Sequence, residues 1–418
     1  MREIHVIPAR AVTHGPRHHF FGYYDKSPWD ATGRYMLALE APFGDREPDS
    51  ADRATVGVID LGAGCSFHPM ADTTAWNWQQ GAMLQWLPSA PERLIIFNDR
   101  RDGAFVSVVM DIRNAEARVL PRPIYAISRD GARALTVNFS RLNDWRPGYG
   151  YAGVPDPWED DPQPDDDGIY VMDLATGESR LILSLAQVVA HRHEKRMEGL
   201  HHWFNHLQFN TDDSRFVFLH RWPREKGGRY TRMLTAAPDG SGLYCLSDHD
   251  MTSHFDWRNE RQILAWATRR EVGDRFFLFD DRTARFEAIG DGVLTEDGHC
   301  SYSPDGRWIL TDTYPDRENM RALMLYRDRR EATSPAEAGL PSPRRRDAAP
   351  TCDDEGVRVD IGRFYAPPEL PTPARCDLHP RWSRAPAKRV GRHVCIDSAH
   401  EGTRQMYVLE VTEVVRRA

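Results

Sequence analysis

His299-Cys300-Ser301-Tyr302-Ser303-Pro304-Asp305-Gly306-Arg307-Trp308-Ile309-Leu310 reads as a short strand, a tight turn and a second, more apolar strand. The phrase occurs seven times in all, at about residues 23–40, 83–98, 124–140, 206–222, 254–269, 299–314 and 379–398. Its turns are Ser27-Pro28-Trp29-Asp30, Leu87-Pro88, Ser128-Arg129-Asp130-Gly131, Asn210-Thr211-Asp212-Asp213, Arg258-Asn259, Ser303-Pro304-Asp305-Gly306 and Ser383-Arg384. Pro, Asp, Asn and Gly between runs of β-branched and aromatic residues are hairpin chemistry.

Most copies are followed by a second hairpin built as apolar run, Asp, polar turn, apolar run. Gly168-Ile169-Tyr170-Val171-Met172-Asp173 opens the clearest, and Thr55-Val56-Gly57-Val58-Ile59-Asp60 and Arg275-Phe276-Phe277-Leu278-Phe279-Asp280 repeat it. Four strands in each of seven units predict an all-β, seven-bladed β-propeller spanning residues 1–418 as one domain. The last blade ends after three strands, so Glu3-Ile4-His5-Val6-Ile7-Pro8 is expected to supply the fourth and close the ring. Two insertions break the rhythm, at about 152–167, expected as an exposed acidic loop, and at 331–355. Residues 183–197 have helical composition, with His191 and His193 expected at the surface.

The chain has 418 residues, 40% of them hydrophobic, with a mean hydropathy of −0.61. Its apolar residues fall in short dense runs, which excludes bulk disorder. No run approaches the roughly 20 residues of a membrane helix, and the N-terminus lacks the apolar core of a signal peptide, so a cytoplasmic location is expected. A net charge of −8 argues against a nucleic-acid partner. Six cysteines are too sparse for a disulfide scaffold and read as thiols.

The repeat supplies a coordinate system. Counting back from each turn gives Tyr23, Met83, Ile124, His206, His254, His299 and His379, so four successive blades carry histidine in one register at the channel mouth. For a single histidine a hydrogen-bonded core residue is the simpler reading. Four converging on one axis point to a metal or catalytic cluster. Imidazole suits several transition metals, and Cys300 and Cys376 lie beside His299 and His379. Thiolate ligation would favour Zn; histidines with water or the Asp377 carboxylate would make Mn plausible. Strand alternation cannot turn both His299 and Cys300 inward without a bulge.

The ends of the second strands add Asn98, Arg100, Arg141, His220 and Arg221 on the same face. Arg146, Tyr149 and Tyr151 follow in the next loop, and Gln80, Tyr24 and His202 lie close by in the chain. Rings stack on sugar faces, amides bind hydroxyls and Arg clamps carboxylates, so the face suits an anionic sugar.

Through Asn205-His206-Leu207-Gln208-Phe209, Ser253-His254-Phe255, Gly298-His299-Cys300-Ser301 and Cys376-Asp377-Leu378-His379-Pro380, the chain resembles the propeller lyases of acidic polysaccharides. These are the oligogalacturonate lyases and ulvan lyases, with a TolB-like repeat. The resemblance implies an acidic oligo- or polysaccharide substrate, a base at His206 and Mn ligands at His254 and His379. Where oligogalacturonate lyases have Gln and a second His before the last metal histidine, this chain has Ala374 and Asp377, with Cys376 between. The Cys/His set is more similar to the zinc site of ulvan lyases. The chemistry so implied is β-elimination, with His206 as base, Arg221 and Arg146 neutralising the uronate carboxylate, and Tyr149 or Tyr151 as acid. His254, His299, Cys300, Cys376 and His379 form the candidate metal set. Two rival expectations are a non-catalytic TolB-like binding propeller and a metal-dependent uronate epimerase or hydrolase.

Overall fold

The computed structural model describes residues 1–328, 356–370, 372, 374–384 and 391–416, and the insertion expected at 331–355 lies outside them. Seven sheets follow one another around a central channel: His18–Thr73, Gln85–Leu120, Ala126–Ser184, Trp203–Ser247, Thr252–Ala288, Ser301–Tyr365 and Arg381–Glu410, blades one to seven. Apart from the strands that the N-terminal segment lends to blades six and seven, the strands of each blade pair antiparallel in chain order from the channel outward. No helix among the described residues is long and apolar enough to cross a membrane.

Burial follows distance from the channel. The innermost strand of blade four, Trp203–Phe209, is almost wholly buried, because both its faces pack on neighbouring blades. The outermost strand of blade two, Ala117–Leu120, exposes three of its four residues. The core therefore lies between blades, as apolar clusters such as the one joining Val217, Phe255 and Phe277.

The turns behave as their residues predict. Ser303 Oγ donates to Asp305 and accepts from the Trp308 amide at 2.9 Å, while Gly306 sits at φ +71°. Ser128, Asp130, Arg133 and Gly131 repeat this geometry in blade three.

The N-terminal segment closes the ring, with a shifted register. Arg10–Ala11, rather than Glu3 to Pro8, is the outer strand of blade seven, paired with Val408 and Tyr407. Arg2–Ile4 instead runs parallel to Arg358–Asp360 and adds a fifth strand to blade six.

Two further expectations are corrected. The acidic insertion of blade three is anchored rather than fully exposed: Asp156 and Asp167 are 4% and 2% exposed, and buried Arg141 pairs with Asp156 at 3.0 Å. In blade one the inner strand is His18–Phe20, paired with Leu39–Ala41, and Tyr23-Tyr24 lies on the irregular segment after it. Between blades three and four, residues 183–197 carry the expected helix as Leu185–Ala190, closed by a capping box at Ser184 and Gln187.

Candidate functional site

The inner strands are not regular where the histidines sit. Pairing in blade four slips between Asn205 and Gln208, and in blade five between Thr252 and Phe255. His206 and His379 adopt φ of +56° and +41°, and Met83, in the same register of blade two, +52°. Such backbone is costly for a residue with a Cβ, and bulges of this kind re-aim side chains. Here they turn the imidazoles into the channel.

The four rings form one cluster, each at most 7% exposed. His254 and His299 have centroids 4.0 Å apart, His299 and His379 4.5 Å, and Tyr23 stacks on His206 at 4.9 Å. Tyr23 also meets His299 and His379 edge-on.

The cluster divides chemically. His254 Nδ1 lies 3.0 Å from Asp297, and His299 Nδ1 lies 3.0 and 3.1 Å from the two Asp312 oxygens. A carboxylate on Nδ1 leaves Nε2 as the free lone pair, the usual arrangement of a metal-binding histidine. His379 Nε2 has no hydrogen-bond partner. His299, His379 and Asp377 bring donor atoms within 4.8 Å of one another, the one such group among the described residues. Two imidazoles and a carboxylate suit a divalent ion such as Zn or Mn. Asp377 is shared, however, with Arg321 at 2.6 Å and Arg375 at 2.9 Å. Burial pushes its carboxyl up, but these two cations overcome that and hold it well below the usual range.

His206 stands apart, with Tyr23 Oη 3.4 Å from Nε2 and Gln80 Nε2 3.3 Å from Nδ1. Tyr125 accepts the His206 amide at 2.7 Å and donates to Gln80 Oε1 at 3.0 Å. Burial first, then Arg221, His254, Arg146 and Arg229, lower the His206 pKa well below its ordinary value, so the ring is neutral. Arg221 ends the second strand of blade four, Arg229 opens the third, and Arg146 follows the helix Phe139–Trp145. Arg221 is 3% exposed, and its Nε and Nη1 have no partner. Burial, then Arg229 and Arg146, lower its pKa, while burial and Arg146 bring Arg229 down to about 10. Arg146 lies over the Tyr149 ring at 4.4 Å, and Tyr149 meets His206 edge-on at 5.5 Å. The result is a cationic roof beside a neutral imidazole: none of the three arginines forms an ion pair among the described residues, and Glu47 lies within electrostatic reach of Arg146.

Other expected site residues have structural duties. The Tyr151 ring stacks on Phe139, and its hydroxyl accepts from Asn98, which also ties blade two to Ile124 of blade three. His202 and His220, both 0% exposed, bond each other at 2.8 Å, and Arg232 caps His220. Arg141 serves the His202 carbonyl and the anchored insertion. Arg100 reaches the Ser50 carbonyl at 2.6 Å, and the Tyr24 hydroxyl bonds the Phe255 backbone, although the Tyr24 ring lines the histidine cluster. Cys300 turns away from His299 into the apolar seam of blades five and six, and burial raises its thiol pKa. Burial likewise pushes the Cys376 thiol up to about 11, and neither cysteine belongs to the donor group.

Sequence reasoning missed Tyr125, Arg229, Arg321, Arg375, Asp297 and Asp312 as site residues. Asp297, two positions before His299, and Tyr125, one after Ile124, were within reach of the register. Nothing local marks Arg229.

No protein-family model matches this chain, and no curated protein is significantly similar to it. Among solved structures it is similar to an oligogalacturonate lyase from Vibrio parahaemolyticus, with a TM-score of 0.61 at 13% identity, over 98% of this chain and 94% of that one. The β-propeller domain of the Trilobed protease from Pyrococcus furiosus gives 0.49 at 10% identity, over 92% and 94%. TolB from Acinetobacter baumannii gives 0.39 at 14%, over 72% and 62%. At these identities the likeness is one of fold.

Proposed function

We propose that the protein is a lyase that cleaves acidic oligo- or polysaccharides by β-elimination beside a uronate carboxylate. The observation that carries this reading is the trio Arg146, Arg221 and Arg229, none of them in an ion pair among the described residues, beside neutral, buried His206. Removing the proton α to a carboxylate builds a second negative charge, and guanidiniums already in place stabilise it as it develops. The substrate carboxylate lies under the arginines, and His206 Nε2 takes the C5 proton. The C4–O bond then breaks, C4=C5 forms, and the departing oxygen receives a proton from Tyr149.

For His206 to act as base its proton must sit on Nδ1. Gln80 then turns its carbonyl to Nδ1 and its amide to Tyr125, whose hydroxyl stops donating to Gln80 and accepts from it instead. Nε2 is thereby left with its lone pair toward Tyr23. A divalent ion held by His299, His379 and Asp377 would add positive charge to the substrate carboxylate. Asp312 orients His299 for that role, and Arg321 and Arg375 hold Asp377.

The test is ultraviolet absorbance from the conjugated 4,5-unsaturated product. Oligogalacturonates, ulvan fragments, glucuronan and alginate oligomers are each supplied with and without chelator. A rising signal on one substrate supports the reading and names the glycan. No chromophore on any of them from folded, metal-loaded protein rejects it.

A further inference from the structure

The channel has a second mouth, at the opposite ends of the inner strands, with a chemistry of its own. A cavity of about 650 Å³ opens there, and every first-to-second-strand turn contributes to its wall, from Ser27 in blade one to Arg384 in blade seven. That volume is in the range of small-molecule sites. Tyr23 faces the histidines, while two residues on, Asp25 lines this cavity, so one segment separates the two mouths.

Charge decides what the cavity suits. Its wall carries Lys26, Arg129, Arg258 and Arg384 against Asp25 and Asp256. Lys26 pairs with Asp25 at 2.7 Å, and Asp256 accepts from Gln208 and from the Tyr302 amide, both at 2.7 Å. Arg129 and Arg384 have no side-chain ion pair among the described residues, although they face one cavity. Burial and then Arg384 lower the Arg129 pKa, against an upward pull from Asp256 and Asp213 that offsets them only in part. A cation is disfavoured here and an anion favoured.

Deeper in the wall, Asp25 Oδ1, Ser27 Oγ and Gln208 Oε1 have no hydrogen-bond partner, so polar capacity remains unspent inside the protein. Trp29, Trp86 and Trp257 line the same cavity. Acceptors beneath, indoles at the sides and guanidiniums at the rim match a ligand that carries hydroxyls at one end and an anionic group at the other.

We propose that this second mouth binds a small hydroxylated anion, a sugar acid or a sugar phosphate, independently of the lyase site. None of the residues argued here belongs to that site, so either reading can fail alone.

Calorimetric titrations with D-galacturonate, ribose 5-phosphate and D-galactose test it, on wild type, Arg221→Gln, and the double variant Arg129→Gln/Arg384→Gln. Both lower-mouth substitutions are at exposed positions, and the unfolding temperature checks that each variant is folded. One or both anions should bind wild type and Arg221→Gln within about two-fold of each other, and the double variant at least about tenfold more weakly. Galactose should bind at least about tenfold more weakly than the better anion. The preferred anion distinguishes carboxylate from phosphate. Absent binding of both anions, equal binding of galactose, or binding lost in Arg221→Gln but kept in the double variant overturns the proposal.

Discussion

His206 is chemically unlike the other three channel histidines because its neighbours are hydroxyl, amide and guanidinium groups rather than carboxylates. A base works only when neutral, and its lowered pKa keeps it neutral to more acidic pH than an ordinary histidine. The acid limb of kcat/KM should therefore lie below the ordinary histidine range. Arg221→Gln removes a cation beside the ring, which favours the imidazolium, so that limb should move to higher pH as maximal activity falls. A limb that stays in place in the pH–rate profile argues against His206 as base. His206→Ala should cost about 10²–10⁴ in rate while circular dichroism and unfolding temperature hold. His379→Ala should lower bound Zn or Mn in elemental analysis of the purified protein, since its Nε2 is the unpartnered donor of the group.

Among the structural elements, buried charge fastens neighbours together at two places. Arg381, 0% exposed, holds Asp397 in its own blade and the Gly22 and Tyr23 carbonyls of blade one. Arg381→Ala strands Asp397 and should cost about 3–5 kcal/mol in denaturant unfolding. Activity should fall as well, because Tyr23 loses its backbone tether. Lysine should not rescue it, lacking the planar fork. In blade three, burial raises the Asp167 carboxyl to about 6, against the pull of the Asn138 amide. A raised carboxyl binds its proton more tightly folded than unfolded. Its stabilising contribution is thus full below the unfolded value of about 3.9 and lost as pH rises through about 6. Asp167→Asn should flatten the pH dependence of unfolding in that window.

For the whole ring, closure rests on a short N-terminal segment. Arg10–Ala11 completes blade seven, Val12 is 0% exposed, and Ile7 packs against Leu310 and Ile361 of blade six. Removing residues 1–12 would open the edge of the strand Gln405–Glu410 and uncover the apolar surface that Ile7 and Val12 cover. A loss of about 3 kcal/mol or more is expected in thermal or denaturant unfolding, with concentration-dependent association through the bare edge. Unchanged stability would show that closure does not depend on this segment.

Blade number, strand order and the register of the four histidines were legible because each depends on near neighbours: turn residues, alternation and a period repeated seven times. The candidate donor Asp377 could also be reached from its motif. Which polar residues serve chemistry could not be read this way. Cys300 points away from His299 because successive side chains of a strand face opposite sides. Asn98, Tyr151, His202 and His220 lie near the right face by register, yet Asn98 and Tyr151 spend their hydrogen bonds between adjacent blades, and His202 and His220 bond each other within blade four. Arg229 meets Arg221 across a hairpin of blade four and Arg146 from blade three, and Asp312 reaches His299 across a hairpin. Such pairings are set by charge and burial across a closed ring, and they exist only once segments more than 350 residues apart, such as Tyr23 and Arg381, have met.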